Sequence, residues 1–191
     1  MKSILAVIGA GEAAFPILKR AQTLDYVTTL AFGQQGSLAQ KEADIFVDAD
    51  IFNIEYIAKT CREYGVNGVI ATSEATTEVT AILANMLNLP GNDVSQGFGA
   101  KNKAVMRERV ANLASIRQPW FRIYSAHDKY DYPVMVKAPD SWGKKGISIA
   151  RNETELKTAI LYSQTYSGTG DVIVEQYLEG GKEYSIECLA G

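Results

Sequence analysis

The sequence predicts an α/β chain in two parts: a parallel-sheet, Rossmann-like domain, then an α+β domain with an antiparallel sheet. Three observations carry this. Short apolar, β-branched runs alternate with helical stripes through the first half. Leu89-Pro90-Gly91-Asn92 then punctuates the chain. Beyond Pro119, strand-like runs dominate and one capped helix interrupts them. The expected division is a first domain over 1–95, a bridging helical region over 96–118 and a second domain over 119–191.

Ser3–Ile8 reads SILAVI and stops at Gly9, which suits a strand buried on both faces. Ala14, Ile17, Leu18, Ala21 and Leu24 follow at helical spacing, with Pro16 near the helix start. Strands are expected at Val27–Phe32, Asp44–Val47 and Gly68–Ala71. Helices are expected around the stripes Ile54, Ile57, Ala58, Cys61 and Val79, Ile82, Leu83, Met86. A helix over about 101–114 places Met106, Val110 and Leu113 inside. Strands then follow at Trp120–Tyr124, Val134–Ala138, Gly146–Ala150, Val172–Tyr177 and Glu183–Leu189. The helix among them opens on Asn152-Glu153-Thr154-Glu155, a capping box.

At 191 residues, 47% hydrophobic and 21% charged, the composition excludes a disordered tail, collagen and a coiled coil. No apolar run approaches the roughly 20 residues a membrane helix needs, and the start is too short for a signal-peptide core. Two cysteines, Cys61 and Cys188, make no disulfide framework. We expect a soluble, cytoplasmic protein with no membrane partner. The net charge of −3 gives no nucleic-acid signal, but it divides unevenly, −5 over residues 1–95 and +2 over 96–191. Lys101 to Arg122 holds six basic residues and one acid, either a solvated helix face or a local site for phosphates.

Gly9-Ala10-Gly11-Glu12-Ala13-Ala14 fits the permissive G-x-G-x-x-A fingerprint between a strand and a helix. NAD binding also needs an acid ending the second strand. That strand ends Phe32-Gly33-Gln34-Gln35, without one. A structural tight turn and a loop facing another anion stay open. Thr72-Ser73-Glu74 follows the fourth strand at the carboxyl edge, where ligands bind in such sheets. Either hydroxyl can instead simply cap the next helix.

In Tyr132-Pro133-Val134-Met135-Val136-Lys137, alternation puts Lys137 opposite Val134 and Val136. A lysine inside an apolar strand is costly unless its charge is used, and a phosphate is a suitable partner; a snorkelling edge lysine is the alternative. Asp140-Ser141-Trp142-Gly143-Lys144-Lys145-Gly146 is a glycine loop with donors and charge, and it is no Walker A loop. Val174-Glu175-Gln176-Tyr177-Leu178-Glu179-Gly180-Gly181-Lys182-Glu183 offers backbone and acids to an adenosine.

A lysine on a helix, Y-P-V-x-V-K, S-x-G-x-x-G, a capped helix and V-E-Q-Y-L-E-G-G-K-E-Y-S-I-E resemble, in that order, the ATP-grasp superfamily. The flavour is that of the carbamoyl-phosphate synthase large chain and biotin carboxylase. The first half resembles the pre-ATP-grasp domain, in which G-A-G-E-x-x-x-P opens the chain and L-P-G-N leads into a K-x-x-M helix, here Lys103 to Met106. The resemblance covers essentially the whole chain. It implies that Lys103 and Lys137 contact ATP phosphates under a loop containing Ser141, Gly143, Lys144 and Gly146. It places adenine on the Glu175 carboxylate and the backbone of Gln176 and Leu178, and ribose on Glu183. Gly9, Gly11, Glu12, Ser73 and Glu74 then face the acceptor or carboxylate substrate.

The implied activity is ligation: ATP phosphorylates a carboxylate or bicarbonate, and an amine or ammonia attacks the acyl phosphate. The family's Mg²⁺ ligands lie downstream of Gly191, on a second subdomain. The chain is therefore expected to be part of a longer enzyme, inactive alone, with a homodimer as a further expectation. A non-catalytic nucleotide or small-anion module is the alternative, and an NAD-linked oxidoreductase fragment the third. His127, Cys61, Cys188 and Trp142 are not promoted: they read as a loop residue, two core thiols and local packing.

Overall fold

The computed structural model describes residues 2–182 and 184. The chain divides into two compact units between Asn102 and Lys103. No helix among the described residues is long and apolar enough to cross a membrane.

The first unit runs β1 (Ser3–Ile8), α1 (Phe15–Gln22), β2 (Val27–Gly33), β3 (Ile45–Asp48), α2 (Ile54–Tyr64), β4 (Gly68–Ala71), α3 (Thr77–Leu87) and α4 (Val94–Lys101). Its sheet has the order β3-β2-β1-β4, and every pair is parallel. Strand alternation splits the apolar residues between two faces. Ala6, Ile8, Leu30 and Phe32 pack against Ile57, Ala58 and Cys61 of α2 and Val79 and Leu83 of α3. Val7 and Ala31 face the other way, against Ala14, Leu18 and Ala39. Helices on both faces are what the unbroken apolar strand runs require. Burial raises the Cys61 thiol to about 11, with Arg62 opposing, which suits a core residue and not a nucleophile.

The turn after β1 depends on one glycine. Gly9 has φ of 104°, and a Cβ there would stand 2.3 Å from the Thr72 hydroxyl oxygen. That hydroxyl donates to the Ile8 carbonyl at 3.0 Å, tying β1 to the end of β4. Gly11 has φ of −78° and open space where a Cβ would go.

The second unit runs α5 (Lys103–Val110), β5 (Phe121–Ile123), β6 (Val134–Lys137), β7 (Ile147–Ala150), α6 (Glu153–Gln164) and β8 (Ile173–Gln176). The sheet order is β5-β8-β6-β7, antiparallel throughout. Val134, Val136, Ala150 and Val174 cover Leu156, Ala159 and Ile160 of α6. The cap of α6 forms as its sequence predicts: Asn152 Oδ1 accepts from Glu155 N–H at 2.9 Å. The Glu155 carboxylate reaches back to the N–H of Arg151 at 2.9 Å, one residue before the cap.

The single helix expected over 101–114 is corrected. Asn102 has extended backbone, φ −92° and ψ 111°, and separates α4 from α5. The expected inward stripe is also corrected, because Met106 and Leu113 are 41% and 49% exposed and only Ala104 of α5 is buried. The helix instead turns Arg107 inward, toward a buried acid described below. The expected strand Glu183–Leu189 lies, apart from Tyr184, outside the described residues.

Gly9→Ala should lower the unfolding free energy by about 2 kcal/mol or more, because a left-handed φ and a clash act together. Gly11→Ala should change it by less than about 0.5 kcal/mol. Urea denaturation of the two variants checks the contrast.

Candidate functional site: a cationic cleft on the antiparallel sheet

Antiparallel register builds this site. Met135 pairs with Glu175, and Lys137 with Ile173, so all four lie on the face away from α6. β6 is an inner strand, which excludes a snorkelling edge lysine. Glu175 is 2% exposed. Its partners explain how a carboxylate is tolerated there. Arg107 of α5 grips both oxygens, Nε to Oε1 at 3.0 Å and Nη2 to Oε2 at 3.2 Å. Lys137 Nζ donates to Oε2 at 2.6 Å. Burial pushes the Glu175 carboxyl up, but the hydrogen bonds from Arg107 and Lys137 and their charges outweigh it. They hold the group below its ordinary value of 4.5.

Beside this cluster lies a cleft of about 350 Å³, lined by Arg107, Met135, Lys137, Glu175, the chain from Gln176 to Leu178, and Gly180 to Lys182. Among the described residues its charged lining is three cations and one acid, a local excess suited to a polyanion. Lys137, Glu175, Gln176 and Leu178, four of the residues singled out in the sequence, thus line one cleft. The Gln176 N–H is committed to the Trp120 carbonyl at 3.0 Å. Glu183 lies outside the described residues.

The glycine loop and Lys103 meet at a neighbouring place. Lys103 N–H donates to the Pro139 carbonyl at 2.7 Å, and its ammonium donates to the Ser141 carbonyl. Ser141 is buried, and its hydroxyl donates to the Lys145 carbonyl at 2.7 Å, closing the loop on itself. Gly146 has φ of 65°, and a Cβ there would stand 3.0 Å from both Ala138 and Tyr166 Cβ. Gly143 and Lys144 also have positive φ, 63° and 61°, at the loop tip. Ser141, Gly143, Lys144 and Gly146 therefore form one turn, separate from the residues lining the cleft.

In the first unit a second cleft, of about 390 Å³, lies at the carboxyl ends of the strands. Gly9, Gly11, Glu12 and Ser73 line it; Glu74 is exposed and outside the lining. The Thr76 hydroxyl accepts from the N–H of Thr72 and of Ser73, both at 3.2 Å. Among the described residues the charged lining of this cleft is Glu12 and Asp50, with no lysine or arginine.

Sequence reasoning missed Arg107, Asp50 and Thr76. The basic run from Lys101 to Arg122 contained the signal for Arg107 but did not single it out. Among the described residues no three His, Cys, Asp or Glu side chains stand together as metal ligands.

Glu175→Gln should lower stability at pH 7 by about 3 kcal/mol, since it leaves two cations without their anion. The native carboxyl titrates below 4.5. Its contribution is therefore present above the unfolded value and is lost as pH falls through the folded one. Urea denaturation at pH 7 and pH 3 should show the gap between variant and parent shrinking on acidification.

Residues 105–191 match the family described as "Carbamoyl-phosphate synthase L chain, ATP binding domain". A carbamoyl phosphate synthase large chain from Pyrobaculum aerophilum is 43% identical over 58 residues, 30% of this chain and 6% of that one. Pyruvate carboxylase from Staphylococcus aureus is 26% identical over 99% of this chain and 19% of its own length. Among solved structures, the biotin carboxylase domain dimer of Hydrogenobacter thermophilus 2-oxoglutarate carboxylase has a TM-score of 0.75 at 24% identity, covering 94% of this chain and 45% of that chain. An L-amino acid ligase from Bacillus licheniformis has a TM-score of 0.74 at 19% identity, with the same two coverages. The chain thus spans less than half the length of these relatives. A parallel-sheet unit followed by this antiparallel unit is the fold of those ligase and biotin carboxylase structures, and residues 105–191 resemble the ATP-binding domain of the carbamoyl-phosphate synthase large chain.

Proposed function

We propose that this chain forms the nucleotide-binding side of an ATP-dependent ligase. In that reaction a carboxylate or bicarbonate oxygen attacks the γ-phosphorus, and the bond to ADP breaks. An amine or ammonia then attacks the acyl carbon, phosphate leaves, and the nitrogen loses a proton. Positioning and charge stabilisation are the protein's main contributions to such phosphoryl transfer.

The observation that carries this reading is the cleft in which Arg107, Lys137 and Lys182 outnumber Glu175. Its volume lies at the lower end of the range for small-molecule sites. Lys137 is the phosphate contact nearest the cluster. Lys103 and the Ser141–Gly146 loop serve the distal phosphates, and the chain at Gln176 to Leu178 serves the adenine. The Hydrogenobacter relative in complex with MgADP, ADP and bicarbonate supports a nucleotide here. Mg²⁺ would neutralise phosphate charge when bound. The described residues provide no ligand set for it, and no step is assigned to it.

The cleft of the first unit takes the acceptor. A carboxylate there would meet Glu12 and Asp50, whereas a protonated amine would be attracted by them.

Titration of the folded chain with ADP, followed by amide chemical shifts, tests the nucleotide assignment. Lys137→Ala should raise the dissociation constant at least tenfold, the loss of one charge-assisted contact of about 1.5 kcal/mol or more. An unchanged constant would overturn it.

A further inference from the structure

We infer that Arg107 is a positioning residue that lets Lys137 leave Glu175 for a bound phosphate. This rests on the nucleotide reading above. It gives Arg107, which that reading counts only among the cations lining the cleft, a role through Glu175, and it assigns the buried acid a role as a dock for the lysine.

The geometry carries the argument. Arg107 alone reaches both oxygens of the Glu175 carboxylate, at 3.0 and 3.2 Å. Lys137 shares one of them, at 2.6 Å. The lysine is therefore the redundant partner. If it moves away, the carboxylate keeps a bidentate, charge-assisted pair, the strongest arrangement available to it. Without Arg107, Lys137 would be the only cation on an acid that is 2% exposed. Moving it to a phosphate would then strand a buried charge, which is strongly unfavourable. Lysine suits the mobile role, being a point charge on a flexible stem, and arginine the fixed one, as a planar fork.

Among the described residues, the charged groups that line the cleft beside the carboxylate fit this scheme. Arg107 comes from α5, Lys137 from β6, and Lys182 lines the same cleft farther along the chain. On β5, the residue paired with Glu175 is the apolar Phe121. The Gln118 side-chain amide donates to the Arg107 carbonyl at 3.0 Å and ties down the helix turn that carries the fork.

The test compares ADP with adenosine, which lacks phosphate, on four versions of the chain: parent, Arg107→Gln, Arg107→Lys and Arg107→Gln with Glu175→Gln. Arg107→Gln should raise the ADP dissociation constant at least tenfold and that of adenosine less than threefold. Arg107→Lys should recover part of the loss. The double variant, with no buried charge to strand, should recover ADP affinity to within about threefold of the parent. Equal losses for ADP and adenosine, or a double variant as weak as Arg107→Gln, would make Arg107 merely structural and overturn the inference. A parent chain that binds neither ligand overturns the nucleotide reading and the hand-over together. A nucleotide-free arm separates the two: ¹³C titration of the Glu175 carboxyl should show its pKa raised in Arg107→Gln. An unmoved pKa would overturn the clamp whatever the nucleotide does.

Discussion

A single buried carboxylate organises the second unit. Glu175 is tolerated inside the sheet only because two cations from two other elements converge on it. That requirement fixes the rotation of α5, which must aim Arg107 inward even at the expense of exposing Met106. It also fixes strand register. A slip of one residue between β6 and β8 would turn Glu175 into the apolar face under α6 and Val174 out of it. With the cluster in place, the cleft has excess positive charge before any ligand arrives.

Much of this was legible in the sequence, because alternation in strands is a strict signal. Lys137 could be placed opposite Val134 and Val136 from spacing alone, and the four parallel strands of the first unit stand where their β-branched runs predict. What alternation could not supply was the partner. Lys137 and Glu175 are 38 residues apart, and Arg107 and Glu175 are 68 apart. Only the folded register brings them together. The sequence suggested a phosphate for the lysine, while the structure gives it an acid on the neighbouring strand. Arg107 was hidden for a related reason: the apolar positions of the longer helix expected there, Met106, Val110 and Leu113, offered a plausible but wrong inward face.

The glycines were less legible, since the same residue meets different demands. Gly9 and Gly146 are fixed by a left-handed backbone and by atoms that leave no room for a Cβ. Gly143 shares the backbone demand but faces open space, and Gly11 meets neither constraint. A fingerprint such as G-x-G-x-x-A cannot tell these cases apart. In the first unit its first glycine is explained by its positive φ and the Thr72 hydroxyl. Only the second, which lines a cleft without structural need, keeps a reason to be read as ligand-facing.

The uneven charge of the chain has a structural meaning once the clefts are described. The acidic first half forms a cleft whose charged residues are Glu12 and Asp50, and the basic second half one where Arg107, Lys137 and Lys182 prevail. The local fields of the two clefts are thus opposite in sign: the cleft of the first unit attracts cations and repels anions, and that of the second unit does the reverse. Charge sign therefore narrows the substrate class for each unit more firmly than the shape of either cleft, since both clefts have similar volumes.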